Sequence, residues 1–394
     1  MSQILLRLAL AGLCGSILTA AAAPYTPSGD STVLERLPLS PADPLVRELR
    51  TLRAELAARP GDAALAAKVA ARYFDLAMAD GDPRYVGYAE AVLRRWTKDR
   101  VPPPDLLVIR GMLRQYRHDF EGALEDLGAA VSAQPANVEA RAWRAAIYMV
   151  QARYSEAHAE CNALSAHASE LFATGCLAYV DATTGKTRGA YEQLASALQR
   201  HPDAGAKTRL WNLTRLAEMA RRLGEAANAE KHFRDALALG VTDNFLLAAF
   251  ADFLLEQGRA ADAAALLKDW ARSDTLLLRL ALAETALKLP SAAKRTKALE
   301  DRFAEAGLRG EQLHLQEEAR LRLSLKGDAP GAVRLAVENW KKQREPRDAA
   351  ILLEAARVAR DPAAAQPALD WLERTGFEDP AMRRDAQALK ALSK

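Results

Sequence analysis

The sequence is poor in aromatic residues and in net charge, and both shortages exclude classes of protein. Only 6% of the residues are aromatic, and the excess of hydrophobic residues is in Ala and Leu, which are strong helix formers. Runs of β-branched residues in period-two alternation are absent, so we predict no β-strands. The 54 basic and 51 acidic residues leave a net charge of +3. No overall basic field therefore points to a nucleic-acid partner.

The chain also lacks motifs for catalysis and metal binding. No His-Glu-x-x-His or Gly-x-Ser-x-Gly is present. Thr184–Thr187 (TGKT) imitates the end of a phosphate loop, but Val180 stands where the leading glycine is needed, so we interpret it as a polar turn between helices. His158–Cys161 contains a His-x-Glu without the Pro-Cys-x-x-Cys of zinc deaminases. We expect no enzymatic activity, no cofactor and no metal site.

The N-terminus predicts export. Arg7 precedes an apolar run at residues 8–20, and small residues follow through Ala23, which is the pattern of a cleaved signal peptide. Pro24 directly after the cleaved bond would fit poorly, so we place the signal peptide at 1–22. The alternative, a membrane anchor, needs roughly 20 apolar residues, more than this run has. We expect a periplasmic protein without stable membrane insertion after cleavage.

The stretch 104–137 has the pattern of two helices joined by a short turn. Small residues are spaced where two helices would touch, and larger apolar residues fill the space between them. These are Gly111, Ala123 and Ala130, with Leu107 and Leu127 as the filling. Pro135 ends the second helix because proline has no N–H to continue the ladder.

The same spacing recurs along the chain in three columns that fall on one helical face. The first column is Ala89, Ala123, Ala157, Ala190, Ala229 and Ala263, with 39 residues between the fourth and fifth members and 33 or 34 elsewhere. Four residues later stand Leu93, Leu127, Cys161, Leu194, Phe233 and Leu267. Seven residues later stand Trp96, Ala130, Leu164, Ala197, Ala236 and Trp270. The long step predicts an insertion near 203–208. Gly224 and Gly258 are predicted to end first helices in the left-handed conformation.

This pattern resembles the tetratricopeptide repeat, a helix–turn–helix unit of 34 residues. The stretch GDPRYVGYAEAVLRRW makes the chain similar to exported tetratricopeptide proteins of bacteria. The resemblance implies an all-α fold, a right-handed α–α superhelical solenoid. After the signal peptide we predict an extended lead-in at 23–42 and divergent helices at 43–81. The repeat array follows at 82–275, and divergent C-terminal repeats with a cap occupy 276–394.

In this family the first helices line a concave groove that holds ligand peptides. Transferring the register predicts a partner-binding groove of nine residues: Met112, Gln115, Tyr116, Trp143, Met149, Tyr179, Arg215, Glu218 and Arg222. Aromatic residues and Arg anchor interfaces, and Met adapts to varied partners. For each aromatic or Met side chain, core packing is the alternative. Met112 and Trp143 stand where the family's carboxylate clamp has polar residues, which argues against a binder of C-terminal tails.

Cys161 and Cys176 are candidates for a disulfide. Exported cysteines tend to pair, and in a tetratricopeptide array the helix with Cys161 packs on the next first helix, which carries Cys176. The alternative is two buried thiols that behave as small hydrophobic residues.

Three functions remain open from the sequence. The first is an exported adaptor that binds a protein of unknown identity through the groove. The second is an accessory scaffold of an envelope assembly or polysaccharide-export machine that binds glycan or a synthase subunit. The third is an enzyme, for which only 276–394 is loosely enough assigned to contain a domain.

Overall fold

The computed structural model describes Gly29 and residues 44–96, 102–310 and 313–392. The signal peptide predicted at 1–22 and the lead-in predicted at 23–42 lie outside these residues, apart from Gly29. The chain divides into two compact units, Met1–Arg50 and Thr51–Lys394. In the first unit the structure describes Gly29 and the beginning of helix α1 (Pro44–Ala58), and the contacts and sites described below lie in the second unit.

All regular structure in the described residues is helical, as the composition predicts. Besides a short 3₁₀ turn at Arg94–Trp96, the helices are α1 (Pro44–Ala58), α2 (Ala63–Asp80), α3 (Arg84–Leu93), α4 (Pro104–Tyr116), α5 (Phe120–Ala133), α6 (Val138–Val150), α7 (Tyr154–Leu164), α8 (Glu170–Thr183), α9 (Thr187–Arg200), α10 (Ala206–Arg222), α11 (Ala226–Leu237), α12 (Asn244–Glu256), α13 (Ala260–Leu267), α14 (Asp274–Ala286), α15 (Ser291–Leu308), α16 (Leu315–Lys326), α17 (Ala329–Trp340), α18 (Pro346–Ala359), α19 (Pro362–Thr375) and α20 (Pro380–Leu392). None of these helices has the length and apolar character that a membrane crossing requires.

From α2 to α19 the helices form nine successive pairs, and α20 follows the last pair. The first helix of a pair also contacts the first helix of the next pair, which is the stacking of a solenoid. The region 276–310, which departs from the sequence pattern, is largely the pair α14 and α15. The second helices differ in length here: α15 has 18 residues, and α13, the second helix of the preceding pair, has 8.

The three predicted columns form the seam within the pairs. The Ala column is buried in all six pairs, and so is the column four residues later. In the third column Trp96 and Trp270 are only partly buried, and the other four residues are buried. At Gly111 a Cβ would lie 2.7 Å from Cγ of Leu127. The two helices therefore touch where the sequence places a residue without a side chain.

The turn inside each of the nine pairs contains one residue with positive φ. Gly224 and Gly258 are two of them, as predicted. Four of the nine residues are not glycine, so the sequence alone does not reveal those four turns. The nine residues are Gly81, His118, Ala152, Gly185, Gly224, Gly258, Lys288, Gly327 and Arg360. The left-handed conformation costs an L-residue with a Cβ roughly 1–2 kcal/mol. His118, Ala152, Lys288 and Arg360 are therefore held in their turns by the packing of the helices on either side.

Replacing Lys288 with glycine is expected to stabilise the protein by about 1 kcal/mol, because Lys288 is exposed and has φ 56°. Gly258→Ala is the matched opposite change. It places a Cβ at φ 72° with no atom within 4 Å, so it should cost about 1 kcal/mol through backbone strain alone. Urea unfolding of both variants checks the pair. A destabilised Lys288→Gly protein would contradict this account of the turn.

The superhelix brings together pairs that are far apart in the sequence. Trp371 of α19 donates a hydrogen bond from Nε1 to the Tyr154 hydroxyl at the start of α7, at 2.8 Å. The Arg344 N–H donates to the Val150 carbonyl at 2.7 Å. The C-terminal pairs therefore pack on the middle of the array, and the curvature of the solenoid encloses part of its concave side.

Candidate functional site

The concave side of the array contains a cavity of about 810 Å³. Apart from Phe233 of α11, its wall is built by side chains of successive first helices from α8 to α18 and the turns before them, and α20 and the residues before it complete the lining. The part of the resemblance that places first helices on the concave surface therefore holds for these pairs. The volume lies within the range of roughly 300–1,000 Å³ that ligand pockets occupy.

The lining is charged on all sides. It contains eight arginines and seven carboxylates, and most of these charged side chains are paired with one another. The arginines are Arg215, Arg221, Arg222, Arg279, Arg320, Arg347, Arg357 and Arg384, and the carboxylates are Glu218, Asp252, Glu256, Glu345, Glu354, Asp379 and Asp385. A wall of this kind favours a ligand that brings charges of its own, because an apolar ligand would strip water from these groups without replacing its hydrogen bonds.

Arg215 lies at the centre of an aromatic cluster in this wall. Its guanidinium is 4.0 Å from the ring centre of Tyr179 and 4.7 Å from that of Phe245, distances at which cation–π attraction is effective. Nη1 donates to Glu218 at 2.8 Å. Nε is buried and has no hydrogen-bond partner within the described part of the chain. Burial also raises the pKa of the Tyr179 hydroxyl to about 12, so Tyr179 is a neutral donor at physiological pH.

Arg222 is also buried in this wall, where only Arg279 is less exposed among the arginines. Unlike Arg215, it is not paired with a carboxylate in the part of the chain that the structure describes. Nη1 donates to the Ala182 carbonyl at 3.0 Å, and the guanidinium lies 4.5 Å from the ring centre of Phe377. Among the described residues no carboxylate forms an ion pair with it. Burial lowers the pKa of Arg222 to about 10, which still leaves the side chain charged at neutral pH. An incoming anion would meet a positive charge that no carboxylate already neutralises.

Four of the nine predicted groove residues line the cavity, namely Tyr179, Arg215, Glu218 and Arg222. The other five, all on α4 and α6, are not among its lining residues. Met112 and Met149 are only 6% and 4% exposed, so they pack in the core and offer little surface to a partner.

The remaining three predicted residues are partly buried away from the cavity. The rings of Tyr116 and Trp143 stand edge-on to Phe74 of α2, with centres 6.5 and 5.7 Å apart. Gln115 is half-buried on α4. Periodicity indicates that these side chains share a helical face. It does not show that α2, from the divergent N-terminal region, covers part of that face.

Cys161 on α7 and Cys176 on α8 are joined by a disulfide, with their Cα atoms 5.4 Å apart. Both residues are buried, and Cys176 belongs to the cavity-lining helix α8 itself. The bond ties one pair to the next where the wall of the cavity begins.

Replacing both cysteines with alanine is expected to lower the free energy of unfolding by about 3 kcal/mol, the loop-closure value for some 15 residues. Urea unfolding with and without dithiothreitol checks this. Reductant should destabilise the native protein by a similar amount and leave the double variant unchanged. Equal stability of the oxidised and reduced native protein would contradict the prediction.

Among the described residues, no group of three or more His, Cys, Asp and Glu side chains could hold a metal ion.

Comparison with known proteins agrees with this architecture. Residues 116–170, which run from the end of α4 to the start of α8, match the family model for the tetratricopeptide repeat. This segment therefore has the sequence of the tetratricopeptide repeat. A chain in the crystal structure of the APC/C hetero-tetramer Cut9-Hcn1 is similar over 89% of this chain and 67% of its own length, with 15% identity and a TM-score of 0.51. This similarity shows the shared superhelical fold.

Two further comparisons with solved structures are weaker. A tetratricopeptide repeat protein from Parabacteroides merdae is 18% identical over 65% of this chain and 93% of its own, with a TM-score of 0.39. Yeast Tom70 is 13% identical over 89% of this chain and 85% of its own, with a TM-score of 0.41. A search of curated proteins gave no significant match.

Proposed function

We propose that this protein is an exported scaffold that binds an extended segment of a partner protein in the cavity formed by its first helices. Tetratricopeptide repeat proteins generally bind protein partners. The observation that carries the proposal is the wall around Arg215 and Arg222. A stacked arginine with an unsatisfied Nε and a buried arginine without an ion pair are anchors that a partner could complete.

Two observations support the exported location. The signal-peptide pattern at residues 1–22 is one, and the disulfide between Cys161 and Cys176 is the other, because disulfides persist in oxidising compartments. N-terminal sequencing of the protein recovered from a periplasmic fraction should give Ala23 as the first residue. Recovery of the full-length chain from the cytoplasm alone would count against export.

Photo-crosslinking from within the cavity tests the binding function. Phe245 lines the cavity, so p-benzoylphenylalanine at 245 keeps an aromatic ring there. The control places the crosslinker at Glu125, which is exposed on α5 outside the cavity. We expect one dominant protein captured in cells from position 245 and not from position 125, with capture lost when Arg222→Ala is added.

Equal capture from both positions would show that binding does not use the cavity. If position 245 captures no protein but the isolated protein retains glycans, the glycan-binding scaffold is the better explanation. In that case Arg215→Ala, which removes the cation between the aromatic rings, should release the glycan.

A further inference from the structure

The cavity is partly covered by the chain's own C-terminus. Residues 376–392, here called the C-terminal cover, comprise the loop after α19 and the helix α20. Phe377, Asp379, Met382, Asp385 and Ala388 of this cover all line the cavity. The cover is tied to α18 on one side, where Arg357 donates to Asp385 at 2.6 Å, and to the middle of the array on the other.

Three consecutive residues of the cover make the contacts to the middle of the array. The ring of Phe377 lies 4.5 Å from the Arg222 guanidinium. A Glu378 carboxylate oxygen accepts the backbone N–H of Thr187, the first residue of α9, at 2.9 Å. Asp379 accepts a hydrogen bond from Arg221 at 2.8 Å. These residues are separated by more than 150 positions in the sequence, so the contacts are tertiary.

These contacts have the chemistry of peptide recognition. One cation packs on an aromatic ring, a second cation binds a carboxylate, and a helix N-terminus binds another carboxylate, which its partial positive charge favours. Burial would raise the pKa of Glu378, but the hydrogen bonds from Thr187 outweigh it and lower the pKa. The segment Phe-Glu-Asp is therefore bound as an aromatic residue followed by two carboxylates.

A glycine precedes the bound segment. Gly376 ends α19 with φ 63°, and its carbonyl oxygen would lie 3.1 Å from a Cβ placed on Gly185. Glycine adopts other backbone conformations at little cost, so the backbone at Gly376 allows the cover to move, and such a movement would separate Phe377 from the ring of Trp371, 5.2 Å away.

We propose that Phe377, Glu378 and Asp379 are an intramolecular ligand of the cavity, and that the partner displaces them with an acidic segment of the same chemistry, an aromatic residue followed by two carboxylates. The proposal rests on the function proposed above. Because the cover is part of the same chain, it competes at a high effective concentration. A partner then binds only the molecules in which the cover is open, so its apparent affinity falls in proportion to that open fraction.

A labelled peptide with the sequence of residues 374–387 tests this by fluorescence anisotropy on the full chain. We expect it to bind the variant Phe377→Ala/Asp379→Asn at least tenfold more tightly than the native protein, in which the cover occupies the site. Adding Arg222→Ala should weaken binding to the opened variant at least tenfold. Glu373→Gln, which removes an exposed carboxylate on nearby α19, is the matched control and should behave as the native protein does. Equal binding to the native and opened proteins would overturn the proposal.

Hydrogen exchange on the native protein gives a second test that needs no variant. Amides of residues 376–392 should exchange at least tenfold faster than buried amides of α18 (Pro346–Ala359), because the cover opens while the array stays folded. Equal protection of the two segments would overturn the proposal.

If the peptide fails to bind the opened variant while position 245 still captures a partner, the proposed function stands and the intramolecular ligand is wrong. If the peptide binds the opened variant but position 245 captures no partner, the intramolecular ligand stands and the proposed function is wrong.

Discussion

Replacing Trp371 with alanine is expected to lower the free energy of unfolding by about 3–5 kcal/mol, the range for deleting a fully buried large aromatic side chain. Trp371 has no exposed surface. Its ring packs edge-on to Trp340, with centres 6.1 Å apart, and against Phe377 at 5.2 Å. It also donates the hydrogen bond to Tyr154 that joins the last pair to α7. The substitution removes packing within the last pair and one of the contacts that close the array.

Equilibrium unfolding in urea, followed by circular dichroism, measures this effect. Tyr154→Phe separates the two contributions, since it removes the hydroxyl and keeps the ring. Burial raises the pKa of Tyr154, so its hydroxyl is neutral at physiological pH, and its loss should cost about 1 kcal/mol, typical of one hydrogen bond. A cost below 1 kcal/mol for Trp371→Ala would contradict this role. A broadened transition would instead show that the C-terminal pairs unfold separately, as repeat arrays can.

The seam of the pairs was predictable because its determinants are local. Two helices in contact need a small residue at the point of closest approach and a larger one a turn away, and both recur at a spacing that can be counted. Ala123 and Leu127 show this, since both are buried and Leu127 lies against Gly111. The left-handed turns were predictable where the residue is glycine, as at Gly258. The turns at Ala152 and Lys288 were not predictable, because packing and not the residue type holds them at positive φ.

The lining of the cavity was predictable only in part, because it depends on contacts between distant pairs. TGKT at 184–187 lies where α8 ends and α9 begins, a polar turn as predicted. Nothing near it in the sequence indicates that the N–H of Thr187 binds Glu378, 191 residues later. The same limit applies to Trp143, which packs on Phe74 of α2, a helix outside the predicted array. Periodicity assigns a side chain to a helical face, and the curvature of the whole superhelix decides what covers that face.

The carboxylate of Asp252 joins three successive first helices in the cavity wall. Asp252 lies on α12, and one of its oxygens accepts from Nε and Nη2 of Arg279 on α14, at 2.9 and 2.7 Å. The other oxygen accepts from Arg320 on α16 at 2.7 Å. Burial alone would raise the pKa of Asp252, but Arg279 and Arg320 outweigh it and hold the pKa below its ordinary value. The folded state therefore favours the ionised carboxylate.

Asp252→Asn is expected to cost about 3 kcal/mol at neutral pH, because it removes the carboxylate charge that the buried Arg279 and the partly buried Arg320 share. Since the pKa of Asp252 is lower in the folded protein than in the unfolded chain, its contribution is present above about pH 4 and is lost as the pH falls further. Urea unfolding from pH 7 to pH 3 should therefore show the native and variant stabilities converging at acid pH. Asp262→Asn is the control, because Asp262 pairs with Arg259 at an exposed site where ion pairs contribute about 0–1 kcal/mol. If the two variants cost the same, Asp252 does not hold the three helices together, and the curvature of the cavity wall must come from apolar packing alone.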